Sequence, residues 1–552
     1  MSLSKRASSL GGAAGLLVVA LGLLPGCKGC APKKAAEPPV RFVDKTAPAV
    51  VEVPDLGVIA QHRAKVVAML QGVATAPQLD ELTKSITREL GFDPSTAEGL
   101  AKAGLPDHGP LAVQVLDGGA LVIVPVVDAN KLAAIVTKAV STRFGATAAE
   151  RDVEGAKVTV HSRPFGPDTV PVASFATKDG LAFVGFGRGS PEAVGHAIAL
   201  PAEGSIRNHA EYRALDQALG SKGVLRLIAP SPGPLRDAVL DALASRLPFR
   251  KEGMKANANS FGASLSAVDS EIRVESRVRL PKAELDRASS ILKAKSSVPD
   301  TVASVGSLPG VVFLEASGDL KALLELAGLE DPGFKTRLEE ASTRMRERLG
   351  LELDRDVLAH LGGSGALTVG LRNAAALRDL QAVMANPFSF VWTYGSFAFS
   401  DADAKILDDA IEKLGPELER AGIKRERRTT PTGVADSFAL ASPGLEVLVA
   451  RSKSSVSFTN DPGKLDEAKP SKGSLLAGRP GFAAELRFAP VVEALGAIDL
   501  DAVASGGGGI MVRGIVEKAR AVLSRFDRTS TVMTLTDDGV ALEGRLVFTR
   551  SK

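Results

Sequence analysis

The chain of 552 residues is poor in cysteine, tryptophan and tyrosine, with 2 Cys, 1 Trp and 2 Tyr, and aromatic residues make up 4% of it. Both cysteines, Cys27 and Cys30, lie near the N-terminus, so no disulfide framework staples the body and packed cores must hold it. Few aromatics mean few platforms on which nucleic-acid bases could stack. Charge of one sign is also missing. Residues 1–34 carry five basic side chains (Lys5, Arg6, Lys28, Lys33, Lys34) and no acidic ones, which leaves 62 Lys+Arg against 64 Asp+Glu, a net of −2, in the other 518. A body this neutral sets up no field for a polyanion, and no nucleic-acid partner is expected. The strongest basic run, Lys424-Arg425-Glu426-Arg427-Arg428, is interrupted by acid and reads as a solvated connector. With 45% hydrophobic and 24% charged residues, the composition is that of a globular chain of several domains.

What is present begins at the N-terminus. Lys5 and Arg6 precede an apolar run from Leu10 to Leu24, the length of a signal-peptide core and short of a bilayer span. The run ends in Leu24-Pro25-Gly26-Cys27, which resembles the bacterial lipoprotein signal, with Leu three before and a small residue one before the Cys. Pro25 departs from that pattern at the middle position. The resemblance implies a signal peptide over 1–27 and lipidation of Cys27, which would anchor the protein to a membrane. Lys28, where inner-membrane sorting would use Asp, implies the outer membrane with the body facing the periplasm. Cys27-Lys28-Gly29-Cys30 also spells C-x-x-C. Zinc would need about four ligands, and a redox pair would open a helix beside a strand. Neither setting is present, so Cys30 is a thiol beside the anchor. Residues 28–48, with four prolines, read as a semi-extended tether.

The remainder reads as two copies of one domain, over 49–297 and 298–552. Val53–Ile59 parallels Leu308–Leu314, Gly109–Val113 parallels Gly365–Val369, Val124–Asp128 with its helix parallels Ser396–Asp401 with its own, and Ala263–Leu280 parallels Thr531–Phe548. Hairpins are expected where apolar runs flank Asp117-Gly118-Gly119, Asp179-Gly180 and Asp537-Asp538-Gly539. Helices are expected at 130–142, 208–219, 234–246, 335–349, 403–414 and 511–526, with Gly350 ending the fourth. The alternation Ile272, Val274, Val278, Leu280 reads as a strand that changes phase near Ser276. Hairpins instead of crossovers favour α+β, with two tandem similar domains of mostly antiparallel sheet and helices packed on them.

No constellation for chemistry stands out. The six histidines, His62, His108, His161, His196, His209 and His360, show no metal-ligand spacing and read as surface or loop residues. Ser364 in Leu361-Gly362-Gly363-Ser364-Gly365 lacks the second glycine of a nucleophile elbow, since Ala366 follows, and reads as part of a turn. Ser505 through Gly509 precedes a helix but lacks the strand, the Lys-Ser/Thr and the acidic residue of a nucleotide site. Asp408-Asp409 lies on a charged helix face. No catalytic residue, metal or cofactor is expected.

The segments 349–363, 397–414 and 444–468 resemble a family of uncharacterised bacterial exported proteins and lipoproteins, in which a Leu-Gly before a strand is followed by an apolar strand, Asp and helix. The resemblance implies a domain arrangement and no activity. Anchor and duplication together suggest a non-catalytic, lipid-anchored envelope protein that binds or scaffolds a partner. A carrier of lipidic cargo, or a hydrolase whose site is assembled from distant residues, stands as the alternative.

Overall fold

The computed structural model describes residues 37–57, 91–93, 96–220, 223–233, 258–268, 270–292, 304–318, 332–358, 361–372, 390–399, 404–420, 422–430, 433–439, 446–452, 454–468, 474–498 and 509–549, with isolated positions between them. Cys27, Cys30, His62, His360, Asp401 and Ser505 lie outside the described residues, as does the expected helix 234–246 apart from positions 236 and 237. The described residues fall into two compact units, one up to Arg279 and one from Leu280. That border precedes the 297/298 position expected from the sequence. Each unit is α+β, built on an antiparallel sheet.

Unit one contributes β1 (Val50–Val53), β2 (Leu111–Leu116), β3 (Gly119–Pro125), β4 (Thr147–Val153), β5 (Ala156–Phe165), β6 (Asp168–Lys178), β7 (Leu181–Phe186), β8 (Leu225–Ala229), β9 (Ser260–Val268) and β10 (Glu271–Arg279). They pair in the order β4-β5-β6-β7-β3-β2-β1-β8-β9-β10. Central strands β3 and β7 are apolar throughout because both faces are covered. Val51, Val113 and Val122 pack on one face beneath helices α1 (Ala97–Lys102) and α2 (Ala129–Phe144). Val50, Leu121 and Phe183 pack on the other, beneath α3 (Ser190–Ala199), α4 (Ala210–Leu219) and the segment from Pro39. Asp128 caps α2 by accepting from the backbone N–H of Asn130 (3.1 Å) and Lys131 (3.2 Å). The β6–β7 turn places Asp179 at φ 51° and Gly180 at φ 76°, the left-handed pair that a tight hairpin needs.

Unit two contributes β11 (Val312–Ser317), β12 (Leu361–Leu371), β13 (Val391–Phe399), β14 (Lys424–Thr430), β15 (Gly433–Ala439), β16 (Glu446–Arg451), β17 (Ser455–Thr459), β18 (Gly481–Arg487), β19 (Phe526–Thr536) and β20 (Gly539–Phe548). Their order is β14-β15-β16-β17-β13-β12-β11-β18-β19-β20. The helices are α5 (Lys282–Leu292), α6 (Pro332–Leu349), α7 (Ala404–Arg420), α8 (Gly463–Glu467), α9 (Ala489–Ala497) and α10 (Gly509–Leu523). Trp392 anchors one face, among Val302, Val305, Leu308, Phe313 and Tyr394. Its ring fills the space above Gly370, where a Cβ would fall 2.4 Å from Cε2, so glycine is needed for that close approach.

Several expectations change. Residues 37–48 are not tether. Phe42 meets Phe183 edge-on at 5.4 Å, and Val43 has no exposed surface, so this end of the proline-rich stretch is core. Lys424–Arg428 is the edge strand β14, because the buried Asp436 opposite it, with Glu412 and Glu446, partners its arginines. Helix α7 runs past Gly415-Pro416 to Arg420. Glycine at 415 makes room there, since a Cβ would sit 2.9 Å from Arg425 Nη1. Strand β10 does not change phase. Ser276 is buried on the same face as Val278, and Val274 on that face emerges at the strand's far end. The Val53–Ile59 and Leu308–Leu314 segments are out of step, because the first trails its strand while the second leads into one.

Candidate functional site

Three polar or open places stand out among the described residues. In unit one, Glu52 of β1 lies across the ladder from Arg226 of β8, and both are buried. Tyr212 of α4 donates its hydroxyl to Glu52 Oε1 at 2.5 Å, and Arg226 pairs with Asp216 one helical turn further on. Burial pushes Glu52 above the usual carboxylate range, against the pull of Arg226. Burial, and next the Glu52 charge, raises Tyr212. This group clamps α4 to the sheet. It opens on no described cavity.

The second place lies between α7 and strands β14 to β16. Asp436 of β15 has no exposed surface and accepts from Arg425 Nε (2.9 Å), Arg427 Nε (3.3 Å) and Arg451 Nη2 (2.5 Å). Glu412 of α7 accepts from Arg425 Nη1 (3.0 Å) and Nη2 (2.8 Å) and from Arg427 Nη2, and Asp408 pairs with Arg451. The Arg425 hydrogen bonds, with Arg427 behind them, hold Glu412 down at about 2. Three guanidinium groups meet three carboxylates, so the assembly is neutral. It holds helix to sheet and leaves no charge for an anionic ligand.

The third is a cavity of about 120 Å³ in unit two, lined by Leu314, Ala316, Leu367, Phe397 and Phe482 with Gly363 and Gly365 among them. Register puts those five side chains on one sheet face, since Ala316 pairs with both Gly365 and Phe482, and Gly365 with Phe397. The glycines create the hollow by leaving their share of that face bare. On the opposite face, Glu315 accepts from Ser474 Oγ (2.5 Å) and the backbone N–H of Leu475 (2.7 Å) and Leu476 (3.3 Å).

The expected residues distribute as follows. Ser364 lies in strand β12, not in a turn; it is buried opposite Ser317, and neither hydroxyl has a hydrogen-bond partner. Among the described residues no histidine stands within its strand pairing, which leaves Ser364 without the base that a nucleophile needs there. His161 is 1% exposed, not a surface residue, because β5 carries it under α2, where Nε2 lies 3.5 Å from Thr137 Oγ1. Burial lowers its pKa, so the ring is neutral. His108 Nδ1 faces Asp55 at 3.2 Å, His196 Nε2 faces Asp44 Oδ2 at 2.6 Å, and His209 stands at the N-cap position of α4 without a side-chain hydrogen bond to the helix. Asp408 belongs to the Arg451 pair, while Asp409 stays on the outer helix face. Among the described residues no group of three or more His, Cys, Asp or Glu gathers to hold a metal, and no helix is long and apolar enough to cross a membrane.

Sequence reasoning missed Asp436 and the cavity. Asp436 had a signal, an acid in the middle of the apolar strand Val434–Ala439, a strand's breadth from a basic run. The cavity's signal was the cluster of glycines at 363 and 365, read instead as a turn.

The chain matches no protein-family model and no curated protein. Among solved structures it is similar to TP0453 in crystal forms III, I and IV. Each is 10% identical; form III gives a TM-score of 0.23 over 48% of this chain and 91% of that one, and form I gives 0.24 over 48% and 90%. Scores this low support no argument about fold or function.

Proposed function

We propose that the chain is a non-catalytic, lipid-anchored protein of the cell envelope, made of two tandem copies of one α+β domain, the second of which engages a protein partner. The duplication is supported by strand order. Reading β1 to β10 against β11 to β20, every strand takes the same place in its sheet, and α2 after β3 matches α7 after β13. The anchor is supported by the Leu24-Pro25-Gly26-Cys27 ending, and the outer membrane by Lys28. The resemblance to exported bacterial lipoproteins fits both.

The observation that carries the binding reading is the size of the unit-two cavity. Small-molecule pockets span roughly 300–1,000 Å³, and an apolar cavity of about 150 Å³ accepts a single benzene. At about 120 Å³, the hollow between Leu314, Phe397 and Phe482 takes one apolar side chain or chain end. A whole lipid does not fit, which sets the cargo carrier below a partner that inserts one anchoring residue. Ser364 is buried within a paired strand, with no base among the described residues paired to it, which sets the hydrolase lower still.

The test is equilibrium binding of the full chain to solubilised envelope proteins, comparing wild type with Ala316→Phe, which fills the hollow. A partner held by wild type and lost by the variant is expected. Turnover of an ester, peptide or glycan substrate that disappears in Ser364→Ala would contradict the reading.

A further inference from the structure

We infer that unit one is moored close against the bilayer, with the surface around the docked segment 37–48 facing the lipid. The inference rests on the lipid anchor proposed above and adds the distance and the face. The segment is fastened at many points. Pro39, Phe42, Val43, Ala47 and Ala49 are buried, with Phe42 against Phe183. The backbone locks on both sides: Lys45 N donates to Gly204 O (2.8 Å), Ile206 N donates to Val43 O (2.8 Å), and Asp44 bridges Ser205. Side chains add Arg41 Nη2 to Leu200 O (3.1 Å) and His196 Nε2 to Asp44 Oδ2 (2.6 Å). Undocking would expose the apolar side chains and break these bonds together, so the segment belongs to the body.

The consequence is one of reach. Between Cys27 and Glu37 stand nine residues, 28–36. Fully extended they span about 30–35 Å, and as a flexible coil about 15–18 Å. A free tether through Pro48 would allow roughly twice the extended reach. Unit one therefore cannot turn its far side to the lipid. The surface at Glu37, with exposed Lys45 further along the same docked segment, lies nearest the headgroups. Lys28, Lys33 and Lys34, with no acid among residues 28–36, make the connection attractive to anionic lipid.

The acylated full chain carrying Cys30→Ser and Lys45→Cys, labelled with a donor dye at 45, is reconstituted in vesicles of phosphatidylethanolamine and phosphatidylglycerol containing an acceptor lipid. Strong energy transfer is expected, falling at least about two-fold when a Gly-Ser stretch of about 20 residues is inserted between Ala36 and Glu37. Protease added to the uninserted protein is expected to cut within 28–36 and spare 37–48. Transfer indifferent to the insertion, or cutting within 37–48 as fast as within 28–36, overturns the mooring while leaving the anchor intact. Mass spectrometry of the same sample separates the two readings, since a chain without acyl groups overturns the anchor and the mooring with it.

Discussion

Helices α2 and α7 follow corresponding strands, yet they are seated in opposite ways. Under α2 the sheet meets Leu132, Val136 and Val140, with neutral His161 facing Thr137 of the helix. Under α7 it meets a neutral knot of Asp436, Arg425, Arg427, Arg451, Glu412 and Asp408. The same difference runs through the sheets: β1 is buried on both faces, whereas β11 alternates between buried and half-buried residues. One strand order thus tolerates an oily joint in one place and an ionic joint in another. The cavity described above lies on the half-covered sheet. An ionic seat fixes geometry through charge pairing and does not need a closed apolar face around it.

The largest effect should come from cutting the ionic seat. Asp436→Ala leaves three guanidinium groups facing a buried vacancy and should cost unit two about 3–5 kcal/mol. Calorimetry should show the unit-two transition moving down while that of unit one stays in place. Equal losses in both would mean that the two seats are not independent. Next comes the oily seat. Leu132→Ala should cost unit one about 2–5 kcal/mol through the cavity left behind, with unit two unmoved in the same scan.

Acid should act with opposite sign on Glu52 and Glu412. Glu52 has a folded pKa raised above its unfolded value, so its contribution is present at low pH and is lost as pH rises through the raised value. Glu412 is depressed to about 2, so its contribution is present above the ordinary carboxylate range and is lost as pH falls toward 2. Lowering pH from 6 to 3, a span of roughly three units around ordinary carboxylate values, should therefore strengthen the Glu52 contribution to unit one, against the losses that the lowered Asp44 and His161 bring there, and weaken the Glu412 contribution to unit two. Glu52→Gln should flatten the first trend, and Glu412→Gln the second. A Glu52→Gln variant whose unit-one transition follows pH as the wild type's does, or a Glu412→Gln variant whose unit-two transition does so, would contradict these assignments. Smallest of all is Ser364→Ala, which removes a buried hydroxyl without a partner and should change unit-two stability by no more than about 0.5 kcal/mol.

Much of the fold could be read from the sequence where structure is set locally. The turns at Asp117-Gly118 and Asp179-Gly180 demand positive φ, and both hairpins formed where those pairs stand. Helix α2 shows its apolar period and its Asp128 cap, and α6 ends at Gly350. What could not be read depended on contacts distant in sequence. Arg425 and Arg427 look solvated until strand pairing brings Asp436 beside them. Pro38, Pro39 and Pro48 look like a tether until Phe42 finds Phe183, well over a hundred residues away. The cavity is made by side chains that glycines do not have, and absence within a paired strand is visible only once its partners are known.

The proposed lipid anchor at Cys27 underlies both the envelope role and the mooring of unit one. Mass spectrometry of the N-terminal peptide of the mature protein, isolated from envelopes, tests it most directly. The account predicts a chain that begins at Cys27 and carries the mass of its attached lipid. A peptide that retains Met1, or an unmodified Cys27, would contradict it.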